Sequence, residues 1–261
     1  MTAVTHILWT GGWDSTYRVI ELLGRSRTEI QGHYIVDPVR TSSGNEIATI
    51  DRLRAAIGRH NGAWAKRMRP LQVSHYDEIP PDGDIDAALE QLRAEEYLGK
   101  QYAWLARYVK ASDTGQMDLC IEATDAAGRR IADGIRRAPG SEPPNYELWD
   151  GEGPLETLFR WFRFPLIQAD KKRMEQNVHE WGMWPVMKQT WFCHQPVMGR
   201  YACGTCRPCV YVMNKGQAWR MGYMGRARFV LIEQPRRMVP GQVKTFLRGH
   251  AGAWVRRMIR S

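Results

Sequence analysis

Short apolar runs alternate with longer amphipathic stretches along most of the chain, and this alternation is the feature that most limits its possible folds. The runs predict strands at residues 4–9, 30–36, 69–74 and 118–123. Apolar residues at helical spacing predict helices from the Gly-Gly after the first strand to Leu23, at 46–60, at 85–111 with a break near Gly99, and at 170–181. Strands separated by helices of roughly 10–25 residues are typical of βαβ units. We therefore predict an α/β fold, a doubly wound parallel sheet with helices on both faces.

The positive charge of the chain is concentrated at its carboxyl-terminal end. The net charge is +9, from 37 basic and 28 acidic residues. Residues 211–261 contain eleven basic residues and one acidic residue, Glu233, which leaves residues 1–210 with a net charge of −1. Net charge bears on the choice of partners and not on the fold, so any argument for a polyanionic partner concerns residues 211–261.

No segment has the length or composition expected of a membrane span or a secretion signal. The longest aliphatic or aromatic runs are about four residues, whereas a spanning helix needs about 20. The first residues have neither a basic region nor a long apolar stretch. We expect a cytoplasmic protein without a transmembrane segment, whose five cysteines stay reduced or bind metal.

Residues 10–16 lie between the first predicted strand and the first predicted helix, where open α/β sheets bind ligands. Gly11 and Gly12 allow a tight turn, and Thr10, Ser15 and Thr16 supply hydroxyl groups. Asp14 would repel a bare phosphate but suits a Mg²⁺ ion shared with a phosphate. The alternative interpretation is a strand-to-helix turn in which Asp14 or Ser15 caps the helix. The segment lacks the Lys-Ser/Thr ending of a Walker A loop.

Four of the five cysteines fall within seventeen residues: Cys193, Cys203, Cys206 and Cys209. Two-residue spacers allow successive thiolates to converge on one ion, and four thiolates close a tetrahedral Zn²⁺ site. An iron–sulfur cluster is the main alternative, and unligated thiols are a third. Cys120 is interpreted as a buried apolar residue, and His194 as a neighbour of the site and not a ligand.

The remaining segments are predicted from their composition. Residues 137–154 are rich in Pro and Gly and predict a loop over the sheet edge. Residues 228–233 predict a short strand, and residues 243–259 an amphipathic basic helix. The apolar face of that helix would dock on the rest of the chain or on a second copy. The alternatives are nucleic acid, a membrane surface or a protein partner.

Several motifs, taken in order, resemble a known family. The segment from Leu8 to Thr16 resembles the Ser-Gly-Gly-x-Asp-Ser loop of the PP-loop ATP pyrophosphatases, with Thr10 in place of the first Ser. Phe164–Lys171, Thr190–Cys193 and Cys203–Cys209 resemble motifs of the 7-cyano-7-deazaguanine synthases within that superfamily. Gly99-Lys100-Gln101 is similar, more weakly, to the Gly-Arg-Asn segment of that family.

The resemblance implies a Rossmann-like ATP-binding domain of the PP-loop type at residues 1–190, a zinc-binding segment at 191–215 and a basic extension at 216–261. It implies that Asp14, Ser15 and Lys171 take part in catalysis with Mg²⁺, and that the zinc is structural. The residues implied to bind ATP are Leu8, Trp9, Thr10, Gly11, Gly12, Trp13, Asp14, Ser15, Thr16 and Lys100.

The family activates a carboxylate with ATP, releases pyrophosphate and uses ammonia to form an amide and then a nitrile. By resemblance the substrate is 7-carboxy-7-deazaguanine or a relative, and the protein a homodimer. The motifs that the family uses toward its substrate, Gly-Tyr-Pro-Asp-Cys-Arg and Asp-Tyr-Gly-Gln, have no match here, so a role in phage defence or DNA modification stays open. Two other classes also stay open: a PP-loop enzyme that thiolates or amidates tRNA, and a non-catalytic zinc protein that binds nucleic acid or a protein partner.

Overall fold

The computed structural model of the chain describes residues 3–235, and these fall into two compact units that meet in sequence between Trp191 and Phe192. The strands, all in the first unit, are β1 (Val4–Leu8), β2 (Glu29–Val36), β3 (Gln72–His75), β4 (Met117–Asp118), β5 (Ile135–Arg137), β6 (Tyr146–Leu148) and β7 (Phe162–Arg163). The helices of the first unit are α1 (Trp13–Arg25), α2 (Ser43–His60), α3 (Gly62–Ala65), α4 (Gly83–Glu95), α5 (Gln101–Ala111), α6 (Ala126–Ile131), α7 (Pro154–Phe159), α8 (Lys171–Glu180) and α9 (Trp184–Met187). In the described part of the second unit they are α10 (Arg207–Asn214) and α11 (Tyr223–Arg228), the latter continued by a π-helical turn, Phe229–Glu233.

Five strands form a parallel sheet in the order β3-β2-β1-β4-β7, and β5 and β6 form a separate antiparallel pair. The chain builds outward from β1 through β2 to β3, then returns to place β4 and β7 on the other side of β1. The direction of winding therefore reverses between β1 and β4, which pair at Ile7 and Asp118. The predicted α/β class and parallel sheet are confirmed.

Helices cover both faces of the sheet, because successive strand residues point to opposite sides. Ile7 lies in a core with residues of α1, α2 and α8, whereas its neighbour Leu8 lies in a second core with residues of α4, α5 and α7. Tyr34 and Ile35 divide between the two cores in the same way. Strands buried on both faces are typical of parallel sheets and explain the near-continuous apolar runs in the sequence.

Most predicted helices are confirmed. α2 begins at Ser43, three residues before the prediction, and residues 96–100 separate α4 from α5 at the predicted break. α8 begins at Lys171 after Asp170, whose carboxylate accepts a hydrogen bond of 2.9 Å from the backbone N–H of Lys172. This is the expected chemistry of an N-cap.

Three local predictions are wrong. The strand predicted at 118–123 ends at Asp118, because Ile121 N–H turns back to the carbonyl of Leu119, so Cys120 lies beyond the strand. Residues 228–233 are helical and not a strand: the buried residues Gly225 and Phe229 are four apart, as on one helix face. The segment 137–154 is not wholly loop, since it contains β6, which pairs with β5. The predicted helix at 243–259 lies outside the described residues.

Within residues 3–235, no helix is long and apolar enough to cross a membrane.

Candidate functional site

The loop Thr10–Gly12 joins β1 to α1 at the carboxyl edge of the sheet, beside the reversal between β1 and β4. Gly11 has φ +69°, and a Cβ atom there would lie 3.2 Å from the carbonyl oxygen of Glu46 and from the side chain of Thr49. Only glycine adopts this conformation in this space without strain. Gly12 is the N-cap of α1, which places Asp14 in the first helical turn. The alternative in which Asp14 or Ser15 caps the helix is therefore wrong.

Several residues predicted to bind ATP are buried beneath the loop and hold its conformation. Leu8 and Trp9 are buried, and the Trp9 indole N–H donates a hydrogen bond of 3.1 Å to the hydroxyl of buried Thr16. The carbonyl of Gly11 accepts a hydrogen bond of 2.9 Å from the backbone N–H of Trp191, at the end of the first unit. These contacts fix the path of the loop.

The other loop residues differ in their exposure to solvent. Thr10 is exposed, and Gly12, Trp13 and Asp14 are half-buried. Ser15 is 6% exposed, and its hydroxyl has no hydrogen-bond partner among the described residues. A buried hydroxyl without a partner costs stability, so its position at this edge calls for an explanation.

Lys171, at the start of α8, reaches the same edge. Its Nζ lies 2.6 Å from Oε1 of Glu122 and 3.7 Å from Oδ1 of Asp14. All three side chains are partly exposed. The structure thus brings together two predicted site residues, Asp14 and Lys171, that are far apart in sequence.

Glu122 is a site residue that sequence reasoning missed. It follows the end of β4 by four residues, and its position at the sheet edge is the signal that would have found it. A Cβ atom on Gly128 of α6 would overlap the carbonyl oxygen of Glu122, so α6 packs directly on the backbone that carries this carboxylate.

A buried charge network lies behind the loop. Arg18 on α1 donates hydrogen bonds of 2.9 Å to Asp118 and 2.8 Å to Glu21, and Asn145 donates one of 2.7 Å to the other oxygen of Asp118. Burial alone would lower the pKa of the Arg18 guanidinium, but the charges of Asp118 and Glu21 outweigh it and raise the pKa above its ordinary value. The network ties the helix after the loop to the last residue of β4.

Lys100, implied to bind ATP, precedes α5 and is exposed. Its side chain makes no hydrogen bond or ion pair with another residue of the described range 3–235.

A cavity of about 540 Å³ opens at the opposite edge of the sheet, where α5 ends and β7 begins. Its charged lining residues include Asp84, Lys110, Glu152 and Arg160. None of the residues predicted as site residues lines it.

The four clustered cysteines converge in the second unit, with all four Sγ atoms within 4.8 Å of one another. The Sγ atoms of Cys203 and Cys209 are 3.8 Å apart, and those of Cys193 and Cys206 are 3.9 Å apart. A tetrahedral ion with Zn–S bonds of about 2.3 Å has S–S edges of about 3.8 Å. The four cysteines are therefore positioned to hold one metal ion, in a geometry consistent with zinc.

Backbone N–H groups near the sulfur atoms favour the thiolate form, which is the form that binds a metal ion. The N–H groups of Cys203 and Cys206 point at the sulfur atoms of Cys193 and Cys203, each at 3.2 Å. Gly204 has φ +76°, and a Cβ atom there would overlap the carbonyl oxygen of Gly225. The turn between Cys203 and Cys206 thus requires glycine.

The thiols also influence each other's protonation. The hydrogen bond with Cys206 raises the pKa of Cys193 to about 12, and hydrogen bonds with Cys193 and Cys209 lower the pKa of Cys206. Four sulfur atoms this close cannot all be thiolates unless a cation lies among them, and metal binding supplies that charge. The donor set fits the metal that the spacing predicts.

No family model matches the chain, and a search of curated proteins returns no match. The functional argument therefore rests on the loop, the charged side chains around it and the four cysteines.

Proposed function

We propose that the first unit binds ATP over residues 8–16 and uses it to adenylate a carboxylate, with release of pyrophosphate. The observation that carries the proposal is the meeting of Asp14 and Lys171 beside a glycine loop, next to the point where the sheet order reverses. Open α/β sheets bind nucleotides at such reversals, and the first amides of the following helix bind phosphate.

The charges at this edge favour a nucleotide bound together with a cation. Asp14 and Glu122 give two negative charges against the single positive charge of Lys171. Asp14, in the first turn of α1, would hold Mg²⁺ next to the phosphates. When bound, Mg²⁺ neutralises charge that develops on the departing pyrophosphate.

The protein's own groups then position the reactants. Glu122 holds the Lys171 ammonium at the edge of the sheet, where that ammonium donates a hydrogen bond to the α-phosphate. A substrate carboxylate oxygen attacks the α-phosphorus, and the bond to the bridging oxygen of pyrophosphate breaks. Ammonia displaces AMP from the acyl-adenylate to give an amide. By the resemblance to the deazaguanine synthases, the substrate is a deazapurine carboxylate. A second ATP then adenylates the amide oxygen, and that oxygen leaves with AMP as the nitrogen loses its remaining protons to give a nitrile.

ATP–pyrophosphate exchange in the presence of 7-carboxy-7-deazaguanine, without ammonia so that the acyl-adenylate is not consumed, tests the proposal. We expect Asp14→Asn to lower the exchange rate at least about 100-fold, because it removes a charge that acts on the transition state. Asp51→Asn, at an exposed position on α2, is the matched control and should leave the rate unchanged. Full exchange by Asp14→Asn with normal folding would refute the proposal.

We propose that the metal of the second unit is Zn²⁺ and that it is structural. Four protein sulfur ligands leave no open coordination position for substrate. Cys206→Ser should lower the zinc content well below one ion per chain, whereas Cys120→Ser should retain it. Iron in the purified protein, with the absorption of an iron–sulfur cluster, would contradict the assignment.

A PP-loop enzyme that modifies a base in tRNA is the second candidate, and the charge of the second unit favours it. Residues 192–261 contain 13 basic residues and one acidic residue. Mass spectrometry after incubation with ATP, ammonia, 7-carboxy-7-deazaguanine and tRNA distinguishes the two candidates. An amide or nitrile of the deazapurine supports the first, and a mass change in the tRNA supports the second.

A further inference from the structure

The two units carry net charges of opposite sign, and the charge changes at the boundary between Trp191 and Phe192. Residues 1–191 contain 24 basic and 27 acidic residues, a net charge of −3, and residues 192–261 have a net charge of +12. Within the described part of the second unit, residues 192–235, six basic residues accompany one acid, Glu233. A single carboxylate cannot neutralise six cations, so this unit attracts anions.

Three of these cations, Arg200, Arg207 and Lys215, are exposed. The Arg200 guanidinium lies 4.7 Å from the ring centre of Tyr201, and the Lys215 ammonium lies 5.8 Å from that of Tyr211. Charge and aromatic surface are therefore presented side by side.

Aromatic side chains that most proteins would bury are exposed in the same short stretch. Tyr211 is 42% exposed, Trp219 is 40% exposed and Tyr223 is 91% exposed. These three lie between the last turn of α10 and the first turn of α11, and Lys215 is the C-cap of α10. Exposed rings next to cations are the combination that binds unpaired bases, since the rings stack on bases while the cations contact phosphates.

We propose that the exposed basic and aromatic side chains of the second unit, namely Arg200, Arg207, Lys215, Tyr211, Trp219 and Tyr223, form one basic–aromatic surface that binds single-stranded nucleic acid. The proposal goes beyond the ATP chemistry of the first unit and does not depend on it. A single strand fits better than a duplex, because base stacking on tyrosine and tryptophan requires bases that are not already stacked in pairs. The metal site would serve this surface by fixing the start of α10, whose N-cap is Cys206.

The number of exposed cations predicts how strongly the affinity for a single strand depends on salt concentration. Each phosphate neutralised on a single strand contributes about −0.7 to the slope of log affinity against log salt concentration. Three exposed cations give a slope near −2, so raising the salt from about 50 to about 200 mM should weaken binding about 18-fold.

The test uses the full chain and fluorescence anisotropy with a labelled 20-nucleotide single-stranded RNA, a duplex of the same length and, by sedimentation, anionic phospholipid vesicles. Arg200→Glu/Lys215→Glu should weaken binding of the single strand at least tenfold. Tyr223→Ala should weaken it about tenfold, the effect of losing one stacked base.

Matched controls lie in the first unit. Arg27→Glu/Lys66→Glu makes the same change in net charge at two exposed positions, and Tyr97→Ala removes a tyrosine that is 65% exposed. Both should bind the single strand as the unmodified protein does. Zinc content and thermal unfolding confirm that every variant is folded.

Loss of binding in the two second-unit variants, with the controls unchanged, supports the proposal. Equal binding of the duplex together with full binding by Tyr223→Ala would show adsorption of any polyanion and overturn it. Binding of vesicles without binding of RNA would also overturn it, as would undiminished binding by the charge-reversal variant.

Discussion

Replacing Arg18 by Met should destabilise the first unit more than any change to its partners. Arg18 has a side chain that is 2% exposed, and it contacts two carboxylates, those of Asp118 and Glu21. Arg18→Met leaves Asp118 without a cation and leaves Glu21 with only the more distant Arg25 guanidinium, at 3.9 Å. Asp118→Ala, in contrast, leaves Arg18 paired with Glu21, so only part of the network is lost.

The distances from the Arg18 guanidinium to Glu21 and Asp118, 2.8 and 2.9 Å, set the expected loss in the free energy of unfolding. Charges about 4 Å apart interact by about 4 kcal/mol at the effective dielectric constant of partly buried sites. Removing one partner of a buried ion pair costs about 3–5 kcal/mol. We expect Arg18→Met to cost about 5 kcal/mol and Asp118→Ala about 3 kcal/mol. Asp118→Asn keeps the shape and one acceptor oxygen, and should cost about 1–2 kcal/mol.

Urea unfolding followed by circular dichroism measures these costs as changes in the free energy of unfolding. The mild variant Asp118→Asn keeps the measurement possible if Arg18→Met does not fold at all. The informative result is the order of the three costs. A cost below about 1 kcal/mol for Arg18→Met, or a larger cost for Asp118→Ala, would refute the inference that Arg18 neutralises both carboxylates.

Three further predictions concern other parts of the structure. Gly204→Ala should lower the thermal stability and zinc content of the second unit, whereas Gly216→Ala, also at positive φ (+72°) but with open space around it, should retain zinc. Burial and the nearby His6 lower the pKa of His33 from 6.5 to about 4. The unfolded chain therefore takes up a proton first as the pH falls, and the free energy of unfolding should decrease from about pH 6.5 to pH 4, a decrease that His33→Gln should reduce. Gly128→Ala should displace the backbone of Glu122 and so lower the rate of ATP–pyrophosphate exchange, although residue 128 touches no predicted substrate group. The exchange rate is measured beside the far-ultraviolet circular dichroism spectrum, which shows whether the variant is folded.

The features that the sequence predicts well are those set by local spacing. The glycine loop after β1 and the N-cap at Asp170 each lie within a few neighbouring residues, and the four cysteines lie within seventeen. Local geometry decides such features, and the fold only has to accommodate them. Lys171 was predicted through its position in a motif, and the structure places it 3.7 Å from Asp14.

The features that the sequence does not reveal depend on the order of the strands. Asp118 meets Arg18 because β4 lies beside β1, an adjacency that hydrophobic periodicity does not encode. Glu122 escapes notice for the same reason, since it becomes a site residue only when β4 is placed next to the loop. The apolar run at 228–233 shows a different limit: a run of four residues fits a strand or a helix, and only the buried positions four residues apart decide for a helix.

The charges of the first unit restrict the form in which it can bind a nucleotide. Asp14 and Glu122 outnumber Lys171, whereas behind them Asp118 and Glu21 are matched by Arg18 and, at 3.9 Å, Arg25. A bare triphosphate would add to an existing negative excess, whereas a triphosphate complexed with Mg²⁺ brings cationic charge to it. The same excess disfavours a nucleic-acid backbone on this unit, which has a net charge of −3. The two proposals therefore assign the magnesium nucleotide to the first unit and RNA to the second, and together they predict that removing Mg²⁺ abolishes ATP binding without weakening the binding of RNA.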